Sequence, residues 1–294
     1  MEAHLSLNIR PRRAAPRPTV VLLHASAGSS RQWTDLAERL QPEFHVCAID
    51  LHGHGVQPAW NSNAPLSLEH DAQLVEPILR DAGHVHLVGH SYGGAVALQL
   101  AVAHPRAVAS LAAFEPMAYH WLMDGAAPHA SDASDASDEH VPARAALTMA
   151  GAAHVTGEAL LRGAPHEAGR VFVDFWAGAG SWQQMAAGQR DAVARRMRAV
   201  HQQFGAVFRA GFSRSQVARV PAPMLLMSGE HSVPLGRHIA AQLRAALPLA
   251  EHVTLPGMGH MGPVTHAREV NQRIVGFLRN QLDAPFLRRL QRYA

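Results

Sequence analysis

Cysteine is almost missing from this chain of 294 residues: Cys47 stands alone, so no intramolecular disulfide can form and nothing calls for an oxidising compartment. Long apolar runs are missing too. The first strongly apolar run, Thr19 to Leu23, is too short for a signal core or a membrane span, and no other run approaches membrane length. A cytoplasmic protein with no membrane partner is therefore expected. Charge of one sign is also scarce. Lys+Arg 26 against Asp+Glu 23 leaves +3, and the basic residues are scattered apart from Arg12-Arg13, Arg195-Arg196 and Arg288-Arg289. A nucleic-acid footprint is denser and more one-sided, so no nucleic-acid partner is expected. Nothing in the chain bears on oligomeric state.

What the chain does have is apolar content of 48%, enough for one large α/β domain carrying an insertion. It also has 21 histidines. His52-Gly53-His54 and His84-Val85-His86 have spacings that could present two imidazoles together, but neither has a third ligand at a metal-site spacing. Surface or hydrogen-bonding histidines are the default, and no metal or other cofactor is expected.

The informative stretch runs from His84 to Gly94. Val85, Leu87 and Val88 give a buried strand, Gly89-His90-Ser91-Tyr92-Gly93 a Gly-x-Ser-x-Gly turn, and Tyr92 to Ala103 a small-residue helix with Ala95, Leu98 and Val102 on one stripe. Such a turn is sharp and strained, and strand and helix pass so close that Gly89 and Gly93 leave no room for a side chain. It aims the Ser91 hydroxyl out of the sheet edge, with the N–H of Tyr92 pointing into the same space.

On these residues the chain resembles the α/β-hydrolase family, over nearly its whole length. The resemblance implies a mostly parallel sheet flanked by helices, with an inserted helical cap. The alternation of strands and helices points the same way. Residues 1 to 18 leave room for one edge strand near Leu5 to Ile9. Thr19 to Leu23 reads as a central strand, Trp33, Leu36, Ala37 and Leu40 as one helix face, and Phe44 to Asp50 as the next strand. Leu68, Ala72, Val75 and Leu79 mark a helix that Pro77 should kink. Ala107 to Phe114 and Met224 to Met227 read as strands, Arg237 to Leu247 as a helix, and Val253 to Leu255 as the last strand. Val270, Ile274, Phe277 and Leu278 form one face of the final helix, and a basic tail follows from Arg279. The core is thus expected over 1–116 and 221–294, with the cap over 117–220. Within that insertion, Ser-Asp-Ala repeats at 131–138 read as a loop that cannot bury a core. Trp121, Trp176 and Trp182 also fall in the insertion, consistent with an apolar roof over a small-molecule substrate.

The resemblance also assigns roles. Ser91 matches the family's nucleophile. His260, in Gly257-Met258-Gly259-His260 after the last strand, matches its base. In His24-Ala25-Ser26, the backbone of Ser26 matches the second oxyanion donor beside Tyr92, although Ala25 stands where glycine is usual. The acid is a choice between two carboxylates. The loop where most members carry an aspartate reads Glu230-His231-Ser232-Val233-Pro234, with Ser232 at the expected position. A subset of the family draws its acid from the end of the strand after the elbow helix, and Glu115 occupies that end. Glu115 is favoured over Glu230. The implied activity is hydrolysis of a carboxylic ester through an acyl-enzyme. Cleavage of a carbon–carbon bond in a dioxo acid is an alternative, with Arg162, Arg170, Arg209 or Arg214 to bind a carboxylate. A non-catalytic ligand-binding module on the same fold is another. Epoxide and haloalkane hydrolysis are disfavoured, because the family uses an aspartate nucleophile for them.

Overall fold

The computed structural model describes residues 17–123 and 141–282. The strands are β1 (Thr19–Leu23), β2 (His45–Ile49), β3 (Val85–His90), β4 (Val108–Phe114), β5 (Met224–Gly229) and β6 (Glu251–Leu255). They form one sheet in the order β2-β1-β3-β4-β5-β6, and every neighbouring pair is parallel. Parallel pairing requires crossovers that cover both faces, and the central strands read accordingly: β1, β3, β4 and β5 are buried along their whole length.

Helices α1 (Thr34–Leu40), α2 (Leu68–Gln73), α3 (Glu76–Ala82) and α4 (Tyr92–Ala103) precede β4. Between β4 and β5 come α5 (His120–Met123), α6 (Val141–Leu161), α7 (Pro165–Ala177), α8 (Ser181–Gln184), α9 (Ala187–Phe208) and α10 (Arg214–Ala218). Helix α11 (Pro234–Ala246) joins β5 to β6, and α12 (Gly262–Thr265) and α13 (Ala267–Leu282) complete the described chain. Alternate residues of β1 separate two cores. Val20 and Leu22 pack with Trp33 and Leu36 near α1 and with Val270 and Ile274 of α13. Val21 and Leu23 pack on the opposite face with α2, α4 and the inserted helices.

Three local readings change. Pro77 does not kink one helix. The chain breaks at Leu74–Val75 and restarts, with Pro77 in the first turn of α3, where its missing N–H costs no hydrogen bond. Helix α4 has no single apolar stripe, since Tyr92 to Leu98, Leu100 and Ala101 are all buried. It lies between the sheet and other helices, so its small residues are selected by close approach on every side. Arg279 belongs to α13 and donates to Glu43 at 2.6 Å rather than beginning a tail. The strand expected near Leu5–Ile9, the Ser-Asp-Ala repeats and the remainder of the basic tail lie outside the described residues. Among the described residues no helix is long and apolar enough to cross a membrane.

Candidate active site

The sheet order reverses between β1 and β3, and a crevice opens beyond the carboxyl ends of the strands at such a point. Leu23 pairs with Gly89, so the loop after β1 and the turn after β3 leave the sheet side by side. Ser91 sits in that turn at φ 54 and ψ −116. A Cβ at Gly89 would come within 2.6 Å of Gly93 O, and one at Gly93 within 2.5 Å of His24 O. The backbone of Ser91 is clamped on both sides. Its N–H donates to Phe114 O at 3.0 Å, and its carbonyl accepts from Ala95 and Met117 at 3.0 and 3.1 Å. Such a conformation costs on the order of 1–3 kcal/mol and persists because the surroundings over-determine it. Ala27, Ser91 and Glu115 are the three non-glycine residues at positive φ among the described residues, and all three stand at this edge of the sheet.

His260 Nε2 lies 2.9 Å from Ser91 Oγ, and His260 Nδ1 lies 2.6 Å from Glu115 Oε2. All three residues are buried. The second Glu115 oxygen accepts from Gly229 N at 2.8 Å and from the Ser232 hydroxyl. Burial acts to raise the Glu115 carboxyl, but the bonds from His260, Ser232 and Gly229 outweigh it, and the group titrates below the ordinary carboxylate range. Ser232, where an aspartate is usual, thus serves the carboxylate that comes from β4 instead. Glu230 is not brought to the histidine. It is exposed, and its carboxylate accepts from Gly257 N at 2.9 Å.

Ser26 and Tyr92, whose amides are the candidate oxyanion donors, line the same small chamber as Ser91 and His260. The Tyr92 N–H is the first of α4 and has no carbonyl four residues back within the helix. The Ser26 loop is held by its neighbours. Ala25 N–H donates to Gln32 Oε1 at 3.1 Å, Ala27 N–H to His54 Nε2 at 3.1 Å, and His24 Nδ1–H to Ala25 O at 2.7 Å. Burial lowers both His24, to about 4, and His54, which keeps them neutral and able to accept through Nε2. The same loop is tied to His260. Gln32 donates to His90 Nδ1 at 3.1 Å, and His90 Nε2–H donates to His260 O at 2.9 Å, with burial pushing His90 down to about 3. His52 and His86, weighed above as metal ligands, bond to Asp71 and Ser110 at 2.8 Å. Sequence reading missed these positioning roles because imidazoles that serve neighbouring backbone carry no spacing signature.

The inserted helices close over the chamber. Trp176 of α7 stacks on His260 with ring centroids 4.1 Å apart and an interplanar angle of 25°. Trp121 and Trp182 are buried but line neither this chamber nor its neighbour. The chamber measures about 20 Å³, room for about one water molecule. Beyond Trp176, Phe172 and Met261 lies a second cavity of about 520 Å³ that also reaches Ala25 and Ser26. None of Arg162, Arg170, Arg209 and Arg214 lines either space. Arg31 and Arg196 line the larger one. A hydroxyl beside an imidazole is suited to attack a carbonyl carbon, and amide donors from Ser26 and Tyr92 in the same chamber would hold the resulting negative oxygen.

Comparison with known proteins agrees with this architecture. Residues 20–273 match the family model described as "Alpha/beta hydrolase family". Lipase LipV of Mycobacterium tuberculosis is 39% identical over 99 residues, which is 33% of this chain and 36% of that protein. The matched stretch therefore spans about a third of the relative's length. Among solved structures, MGS-M2, an alpha/beta hydrolase enzyme from a Medee basin deep-sea metagenome library, superposes with a TM-score of 0.69 at 15% identity, covering 94% of this chain and 92% of that one. The enol-lactonase from Burkholderia xenovorans LB400 gives 0.65 at 20% identity, covering 91% and 94%. At such identities these likenesses concern the fold.

Proposed function

This chain belongs to the alpha/beta hydrolase family, and on that premise we propose that it is a serine hydrolase that cleaves a carboxylic ester through an acyl-enzyme. The observation that carries the reading is the continuous hydrogen-bonded path from Ser91 Oγ through the His260 ring to Glu115, at 2.9 and 2.6 Å. In this reading His260 Nε2 takes the Ser91 proton as Oγ attacks the carbonyl carbon, then returns it to the leaving alcohol. Glu115 accepts from Nδ1–H, which fixes the tautomer with its free lone pair toward Ser91 and stabilises the imidazolium as it forms. The amides of Ser26 and Tyr92 receive the oxyanion, where loss of one donor costs about 2.7–4 kcal/mol of barrier. Water, activated by the same imidazole, then releases the acid.

The names of relatives support an ester more than another bond: one is a lipase and another an enol-lactonase. The experiment is turnover of p-nitrophenyl acetate and butyrate by wild type and by Ser91→Ala. Turnover that disappears in a variant of unchanged melting temperature supports the reading. Undiminished turnover in that variant refutes it.

A further inference from the structure

The cavity next to the reaction chamber differs from it in charge as well as in size. Its walls are mostly apolar, from Phe172, Trp176, Met185, Val193 and Val264, and among the described residues no aspartate or glutamate lines it. Two guanidinium groups do, those of Arg31 and Arg196. Arg31 is exposed. Arg196 is half-buried on α9, and its Nη1 donates to Ala27 O at 2.8 Å, a neutral partner next to Ser26. Asp50 is the carboxylate that attracts Arg196, yet its oxygens already accept from Ser30 N at 2.7 Å and Val56 N at 3.0 Å. Burial together with Arg195 and Arg31 acts against the charge on Arg196. A half-buried guanidinium beside like charges, with no carboxylate bonded to it among the described residues, is stabilised by any anion that enters the cavity.

We propose that this cavity binds the distal part of the substrate, an apolar chain ending in an oxyanion that pairs with Arg196 and Arg31. Resting on the serine-esterase reading, this names the substrate class as esters carrying a free carboxylate or similar anion on one side of the scissile bond. The chain would pass Trp176 and Met261, which border both spaces. The apolar walls hold its methylenes and the guanidiniums select its end. An ester neutral at both ends would leave the cations as they are and gain only the burial.

The test separates binding from turnover. Monomethyl esters of glutarate, adipate and suberate, each against its dimethyl ester, are titrated into Ser91→Ala with tryptophan fluorescence as readout. At one chain length or more, the monoanion is expected to bind about tenfold tighter than its neutral diester, as a charge-assisted pair requires. Arg196→Gln in the same background should bring that ratio close to one, and 0.5 M salt should reduce it. Equal affinities at all three lengths would overturn the proposal, as would a preference that survives Arg196→Gln together with Arg31→Gln. Wild type hydrolysing neither member of a discriminating pair would overturn the esterase reading and leave the anion site standing. Wild type hydrolysing both members alike, without discrimination in binding, would do the reverse.

Discussion

Replacing Glu115 by glutamine changes one oxygen to an amide nitrogen and tests which carboxylate serves His260. The Glu115 carboxylate holds four positions at once: its own place on the strained turn after β4, His260 Nδ1 at 2.6 Å, Gly229 N at 2.8 Å and the Ser232 hydroxyl. A glutamine keeps its single carbonyl oxygen on Gly229 N–H and must turn its NH2 toward His260. Nδ1 then has to accept, so the proton sits on Nε2 and faces Ser91. The imidazole can no longer take the serine proton. Where a buried acid of a serine triad is neutralised with its geometry intact, kcat falls by about 10⁴, equivalent to about 5 kcal/mol of barrier. The expected result for Glu115→Gln is a loss of that order in p-nitrophenyl butyrate hydrolysis, with KM little changed and a melting transition still present. Glu230→Gln keeps a side-chain oxygen that can accept from Gly257 N–H and removes only an exposed charge, so it should stay within about twofold of wild type. A Glu115→Gln enzyme within tenfold of wild type, or a Glu230→Gln enzyme equally impaired, would refute the reasoning.

Other outcomes follow from the same contacts. Tyr92→Phe removes the hydroxyl that donates to Asp71 Oδ2 at 2.7 Å, leaving that oxygen of a fully buried carboxylate unpaired. Stability should drop by about 1–3 kcal/mol in urea denaturation, and an unchanged midpoint would contradict it. Trp176→Ala removes the wall shared by the two cavities and should cost about 3–5 kcal/mol of stability while raising the hydrolysis of long-chain relative to acetyl esters. An unchanged chain-length ratio would speak against a route past Trp176. Stability should also fall as pH is lowered. His24 and His86 titrate near 4 and His90 near 3, so the unfolded chain takes up protons below about 6.5 that the fold does not accept until far lower. Each contributes about 1.4 kcal/mol per pH unit between pH 6 and pH 4.5, and the depressed Glu115 acts in the same direction at still lower pH. His86→Gln should flatten the slope by one such increment in denaturation curves at pH 7, 6 and 5, and an unaltered slope would count against it.

Ser91 and His260 were legible because backbone constraints mark them. A nucleophile turn needs glycine on either side, and the histidine loop needs glycine to approach it, so the chemistry leaves a local pattern. Glu115 was legible only by comparing strand ends, since nothing in Phe114-Glu115-Pro116 distinguishes a buried acid from a turn residue. Ser232 stood out as a serine in an acid's place, but its bond to Glu115 needed the β4–β5 pairing to become visible. Proline has two meanings in a sequence: Pro77 inside an apolar periodicity reads as a kink, and in α3 it stands in the first turn. Arg196 carries no such mark in the sequence, because α9 holds four arginines, and which of them faces a cavity depends on how the helix docks. Trp176 raised the same difficulty among three candidate tryptophans, and the stacking on His260 selects it.

The most direct test of the account is covalent labelling by a fluorophosphonate, followed by intact mass, in wild type and Ser91→Ala. An imidazole 2.9 Å from Ser91 Oγ, in a chamber lined by Ser26 and Tyr92, should make that hydroxyl react, adding one phosphonyl group to wild type and none to the variant. No adduct on folded wild type, or an adduct that persists in Ser91→Ala, would contradict the claim that Ser91 is the nucleophile.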